Sequence, residues 1–155
     1  MPDRQRPLLH LHGRPRLVRP GAAAQPLQPD GRHRLLLLLA LQPDGLDRAQ
    51  VCALLWPDAQ PALARSRLRK LVFLLAKDPV LEEAPLDADG VMLGWRVDSD
   101  LRQADTLERQ GALAQALALT APPLAEGFDD GSPFGAWLLQ RRQRERLRWR
   151  ERLAR

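Results

Sequence analysis

Residues 61–77 constrain this chain more than any other stretch. Ala64, Leu68, Leu71, Val72 and Leu75 fall at i, i+4, i+7, i+8 and i+11, which sets one apolar stripe along a helix. Pro61 suits the first turn of that helix. At about 100° per residue, Ser66, Lys70, Phe73 and Lys77 point the opposite way, with Arg65 and Arg69 on one flank and Arg67 on the other. Such a helix needs neighbours to cover its apolar face, and it offers its cationic face to solvent or to a polyanion.

The flanking sequence supplies those neighbours. Residues 32–41 are nearly all apolar, a helix to be buried on most sides, with Asp30 as its cap and Pro43-Asp44-Gly45 as its stop. A second helix starts at Asp47, where Gln50 three residues on completes a capping-box pattern and Leu46 and Val51 can close a hydrophobic staple. It runs through Leu54 and Leu55 to Trp56 and ends at Pro57-Asp58. Upstream, residues 8–12 and 16–18 read as paired short strands around a Gly13-Arg14-Pro15 turn, and residues 21–31 as a loop with at most one strand, around Leu27. Downstream, residues 86–97 carry Asp89-Gly90 at their centre, a hairpin signal. One helix is expected from Ser99 or Asp100 to Leu119, interrupted only by Gly111. After a loop at 120–132, Pro133 opens a last helix that holds Phe134, Trp137 and Leu138 and ends in an Arg-rich tail. Within that tail Arg141 and Glu145, and Glu151 and Arg155, stand at i, i+4.

Charge divides the chain into blocks. Residues 1–77 carry 13 Arg/Lys against 5 Asp/Glu, residues 78–138 carry 3 against 12, and residues 139–155 carry 8 against 2. A basic first block points toward nucleic acid. The single cysteine, Cys52, excludes a disulfide framework and a Cys-rich zinc site, and it fits a reducing cytoplasm. The apolar run at 35–41 is far short of a membrane span, which takes roughly 20 residues.

Several residue patterns carry a more specific resemblance. They are the strand pair from Leu9 to Leu17, the leucine helix ending in Pro43-Asp44-Gly45, the segment from Asp47 through Leu54-Leu55-Trp56-Pro57-Asp58, and Ala64-Arg65 with Leu68-Arg69. Together they resemble the Streptomyces antibiotic regulatory protein family. In that family an OmpR-type winged helix-turn-helix precedes a bacterial transcriptional activator domain of tetratricopeptide-like helices. Val97-Asp98 resembles the junction between the two domains. Glu126-Gly127-Phe128, Trp137-Leu138 and Arg142 resemble the loop and helix that open the second. The resemblance implies an α+β winged helix over residues 1–98, with N-terminal strands and a C-terminal hairpin wing. It also implies an incomplete all-α segment over 99–155, as of a truncated product or fragment.

The resemblance further implies a sequence-specific transcriptional regulator whose recognition helix, residues 61–77, enters the major groove of double-stranded DNA. It places Arg65, Arg67, Arg69 and Lys70 at DNA-contacting positions and Arg96 near the wing, and helix phase adds Ser66, Phe73 and Lys77 to the expected DNA-binding face. Implied partners are RNA polymerase and a second copy, as a homodimer or in tandem on repeats. Late in the helix the chain has Phe73, Leu74 and Ala76 where the family keeps polar residues. That opens an alternative, a winged-helix protein-interaction module within a larger signalling regulator, with weak or lost DNA binding.

No catalytic constellation stands out. Trp56-Pro57-Asp58 lacks the nucleophile loop of a phosphatase, and Cys52 reads as a small core residue. His10 and His12 share a strand face without a third ligand, so they are expected as surface histidines. No enzyme activity, cofactor, metal or membrane is expected.

Overall fold

The structure, a computed structural model, describes residues 6–82 and 84–154. Strand β1 (Leu8–His10) pairs antiparallel with β2 (Arg16–Val18), and β2 with β3 (Gln25–Pro26). Side chains alternate across a strand, so Leu9 and Leu17, opposite each other in the register, are both buried while their neighbours stay half-exposed. Leu27, expected in a strand, follows β3 and turns its side chain into the core.

Helix α1 (Gly31–Ala40) begins where Asp30 accepts the His33 N–H at 2.9 Å. Its leucines at 35–39 are all buried, as is Leu41. A short strand β4 (Leu46–Asp47) leads into α2 (Arg48–Leu55). There the capping box forms in full: the Gln50 N–H donates to Asp47 Oδ1 at 2.7 Å, and the Asp47 N–H donates to Gln50 Oε1 at 3.2 Å. Helix α3 (Pro61–Leu75) buries Ala64, Leu68 and Leu75 and half-buries Leu71 and Val72, the expected stripe. It stops two residues short of the expected end.

After a 3-10 turn at Pro79–Leu81, strands β5 (Asp87–Ala88) and β6 (Met92–Gly94) form a hairpin, and β4 extends it in the order β4-β6-β5. The hairpin is shorter than the sequence implies: residues 89–91 connect its strands, and the register centres the turn on Gly90-Val91 rather than on Asp89-Gly90. Asp89 causes the shift. Its N–H donates to the Met92 carbonyl at 3.1 Å, and its Oδ1 accepts from the Val91 and Met92 N–H groups at 2.7 and 2.6 Å. The side chain thus closes the turn itself.

Strand β7 (Asp98–Ser99) then runs parallel to β1, giving a sheet in the order β3-β2-β1-β7. Three helices follow: α4 (Asp100–Arg109), α5 (Leu113–Thr120) and α6 (Pro133–Leu153). The single helix expected from Ser99 to Leu119 is therefore two. Gly111, at φ 81, takes a left-handed conformation that an L side chain rarely adopts, and it ends α4 so that α5 packs against it.

The core is continuous. Leu9, Leu17, the α1 leucines, Leu68, Leu75, Leu93 and Trp95 join Leu124, Phe128, Phe134 and Leu138 from the C-terminal part. Phe128 meets Phe134 edge-on at 6.3 Å between ring centroids, and Phe134 lies 5.8 Å from Trp137. The approach is close at the start of α6, where a Cβ on Gly135 would sit 2.2 Å from the Asp130 carbonyl oxygen. Val97 and Ser99, at the border expected from the sequence, are both buried in this shared framework.

His12 departs from expectation, because it is buried rather than on the surface. Asp100, at the start of α4, accepts the Leu11 and His12 backbone N–H groups at 2.9 and 3.0 Å. His12 Nδ1 lies 3.2 Å from Asp100 Oδ2, an electrostatic contact without hydrogen-bond alignment. A polar residue two positions past β1 is held under cover by an acid 88 residues away in sequence.

Candidate nucleic-acid interface

The pitch of α3 and the burial of its stripe decide what it presents. Arg65, Ser66, Arg67, Arg69, Lys70 and Phe73 are all exposed on it. Among the described residues no carboxylate lies within ion-pair distance of Arg65, Arg67, Arg69 or Lys70. Lys77 is also exposed but lies beyond the helix, past the Ala76 cap, with its ammonium 4.1 Å from the centroid of the Phe73 ring. That is a cation–π contact.

The cations elsewhere are differently placed. On α6, Arg142 pairs with Asp129 at 3.1 Å, Arg148 with Asp105 at 3.1 Å and Arg152 with Glu108 at 2.5 Å. Arg141 pairs with Glu145 at 3.2 Å, as its spacing implies, and also donates to the Leu41 carbonyl at 2.8 Å. Arg155, of the expected Glu151–Arg155 pair, lies outside the described residues. Arg142 additionally donates to the Leu124 and Ala125 carbonyls at 2.6 and 3.2 Å, which ties α6 to the loop before it. The acidic middle block and the basic tail thus neutralise one another in part. Exposed arginines without an acidic partner among the described residues remain elsewhere, Arg6, Arg14 and Arg32 in the first block and Arg144, Arg146 and Arg150 on α6, but α3 gathers four cations within six consecutive positions.

The hairpin meets α2 through Arg48. Its backbone N–H donates to the Val91 carbonyl at 2.8 Å, and its Nε donates to the Asp89 carbonyl at 2.9 Å. The N–H groups of Met92 and Val91, and then Arg48, hold the Asp89 carboxyl below its ordinary range against a slight opposing effect of burial. Arg48 went unnoticed in the sequence. Its signal was available, since a cation in the first turn of a helix opposes the helix dipole and so asks for another purpose. Arg96 is exposed beside β6 and pairs with Asp87 at 3.4 Å. A pair this exposed is worth about 0–1 kcal/mol, so Arg96 can exchange Asp87 for another anion at little cost.

Cys52 is buried on α2, and burial pushes its thiol above the ordinary value against the pull of Arg65 and Arg48. That is the behaviour of a core residue, not of a nucleophile. Among the described residues no helix is long and apolar enough to cross a membrane, and no three His, Cys, Asp or Glu side chains gather in a metal-binding group.

No protein-family model matches the chain, and no curated protein does. A solved structure of Mycobacterium tuberculosis EmbR, in complex with a low-affinity phosphopeptide, matches with a TM-score of 0.54 at 16% identity. The match covers 88% of this chain and 42% of that one, so this chain spans less than half the length of its structural neighbour. The likeness is one of fold: a mixed α/β, EmbR-like architecture consistent with a winged helix.

Proposed function

We propose that this chain is a sequence-specific DNA-binding transcriptional regulator that lays α3 in the major groove and rests the β5–β6 hairpin, as its wing, on the neighbouring backbone. The observation that carries the reading is the cluster of four exposed cations on α3, Arg65, Arg67, Arg69 and Lys70, which have no acidic partner among the described residues, whereas Arg142, Arg148 and Arg152 of the basic tail are paired with acids. Phosphates take the flanking guanidinium groups, and base edges meet Ser66, Arg69 and Lys70. In this reading residues 1–98 form the DNA-binding unit. Residues 99–155 open a helical, tetratricopeptide-like activator domain through which RNA polymerase is contacted, and copies bind as a homodimer or in tandem on repeated sites. The protein is cytoplasmic and carries no catalysis.

Arg69→Ala is the discriminating substitution. It should weaken binding to a selected duplex by about 1–3 kcal/mol, measured by fluorescence anisotropy. The exposure of Phe73 and Leu74 favours a second reading, a protein-docking face. Under that reading Arg69→Ala leaves DNA binding untouched and Phe73→Ala disrupts a protein complex.

A further inference from the structure

Four residues of α3 fall on one line facing outward, Leu63, Ser66, Lys70 and Phe73, at i, i+3, i+7 and i+10, and Lys77 follows just past the helix end. Two of them are large and apolar. Leu63 is 48% exposed and Phe73 60%, with Leu74, 36% exposed, next to Phe73 and the cations of α3 along the line between them. Lys77 lies over the Phe73 ring and restricts where it can swing.

Resting on the DNA-binding reading above, the geometry points to Leu63 and Phe73 as a pair of thymine-methyl readers that bracket the polar contacts of Ser66 and Lys70. The thymine C5-methyl is the apolar group that the major groove displays, and an apolar side chain meets it by simple contact. Leu63 and Phe73 are ten residues apart, so about 15 Å separates them along the helix axis. With base pairs about 3.4 Å apart, that distance brackets roughly three to five pairs. The preferred site therefore carries two thymines at about that separation, with the hydrogen-bonding bases between them. The cations on both flanks of the line, without acidic partners among the described residues, are what bring a polyanion, rather than an apolar protein face, to these two side chains.

The test uses the full chain and duplexes with a randomised 20-base-pair core, from which tight binders are selected and then resynthesised with deoxyuridine for one thymidine at a time. Removing a contacted methyl should weaken binding about fourfold. Two such positions are expected, and the sensitivity should vanish at one of them in Leu63→Ala and at the other in Phe73→Ala. Both side chains are exposed, so neither variant removes core packing. Selected duplexes that bind equally well with uracil, or a loss that persists in both variants, overturn the methyl readout while DNA binding stands. Failure to retain any duplex at low salt overturns the parent reading, and this inference with it.

Discussion

Asp100 shows how one side chain can hold two parts of the chain together. Its two oxygens take the Leu11 and His12 N–H groups, so an end of α4 is fastened to the strand region at the other end of the sequence. Burial alone would raise this carboxyl, but the His12 side chain and the backbone N–H groups of His12 and Leu11 hold it below the ordinary value. The sign of the linkage follows. The unfolded Asp100 takes up a proton near its ordinary value of about 3.9, whereas the folded one does so at lower pH. Its contribution is therefore complete above about pH 4 and is lost as the pH falls through the lowered value. Asp100→Asn should reduce stability at pH 7 by about 1–3 kcal/mol, because only one acceptor oxygen remains for two buried N–H groups. Melting temperatures between pH 7 and pH 3 should fall less steeply in that variant than in the parent. Equal slopes would show that Asp100 titrates alike in both states.

At the scale of elements, the start of α6 is fixed by a close approach and the hairpin by a single arginine. Gly135→Ala places a methyl group against the Asp130 backbone, where something must shift. Overpacking of this kind costs about 1–3 kcal/mol, readable in a urea melt. Arg48→Ala removes the side-chain bond to the Asp89 carbonyl. It should leave the melting temperature within a few degrees of the parent while weakening DNA binding, since the wing is no longer braced. An unchanged affinity would separate the hairpin from the interface. Legibility in the sequence followed the locality of the cause. The Asp47–Gln50 capping box, the Asp30 cap and the α3 stripe depend on residues within a few positions of one another, and all three formed as expected. The hairpin turn was misplaced by one residue because an Asp89 side chain, not the Asp-Gly pair, closes it. Burial of His12 and the parallel pairing of β7 with β1 depend on partners far along the chain, which periodicity does not register. The exposed positions of the candidate site followed directly from helix phase, whereas the bracing by Arg48 needed the hairpin's position in space.

Over the whole molecule, charge is sorted by folding. Acids of α4 and of the loop before α6 meet arginines of α6, and Asp130 meets Arg34 across to α1 at 2.5 Å. The Arg/Lys cluster on α3 is left facing solvent. If that cluster and its flanks neutralise roughly four to six phosphates, counterion release sets the salt dependence, and the logarithm of affinity should fall against the logarithm of salt concentration with a slope of about −4 to −5. The most direct test is therefore the dissociation constant of the full chain on a selected duplex, measured from 50 to 300 mM salt. That steep slope is expected, reduced by about one in Arg67→Ala, which removes a flanking phosphate contact. A flat dependence would contradict a duplex held by α3.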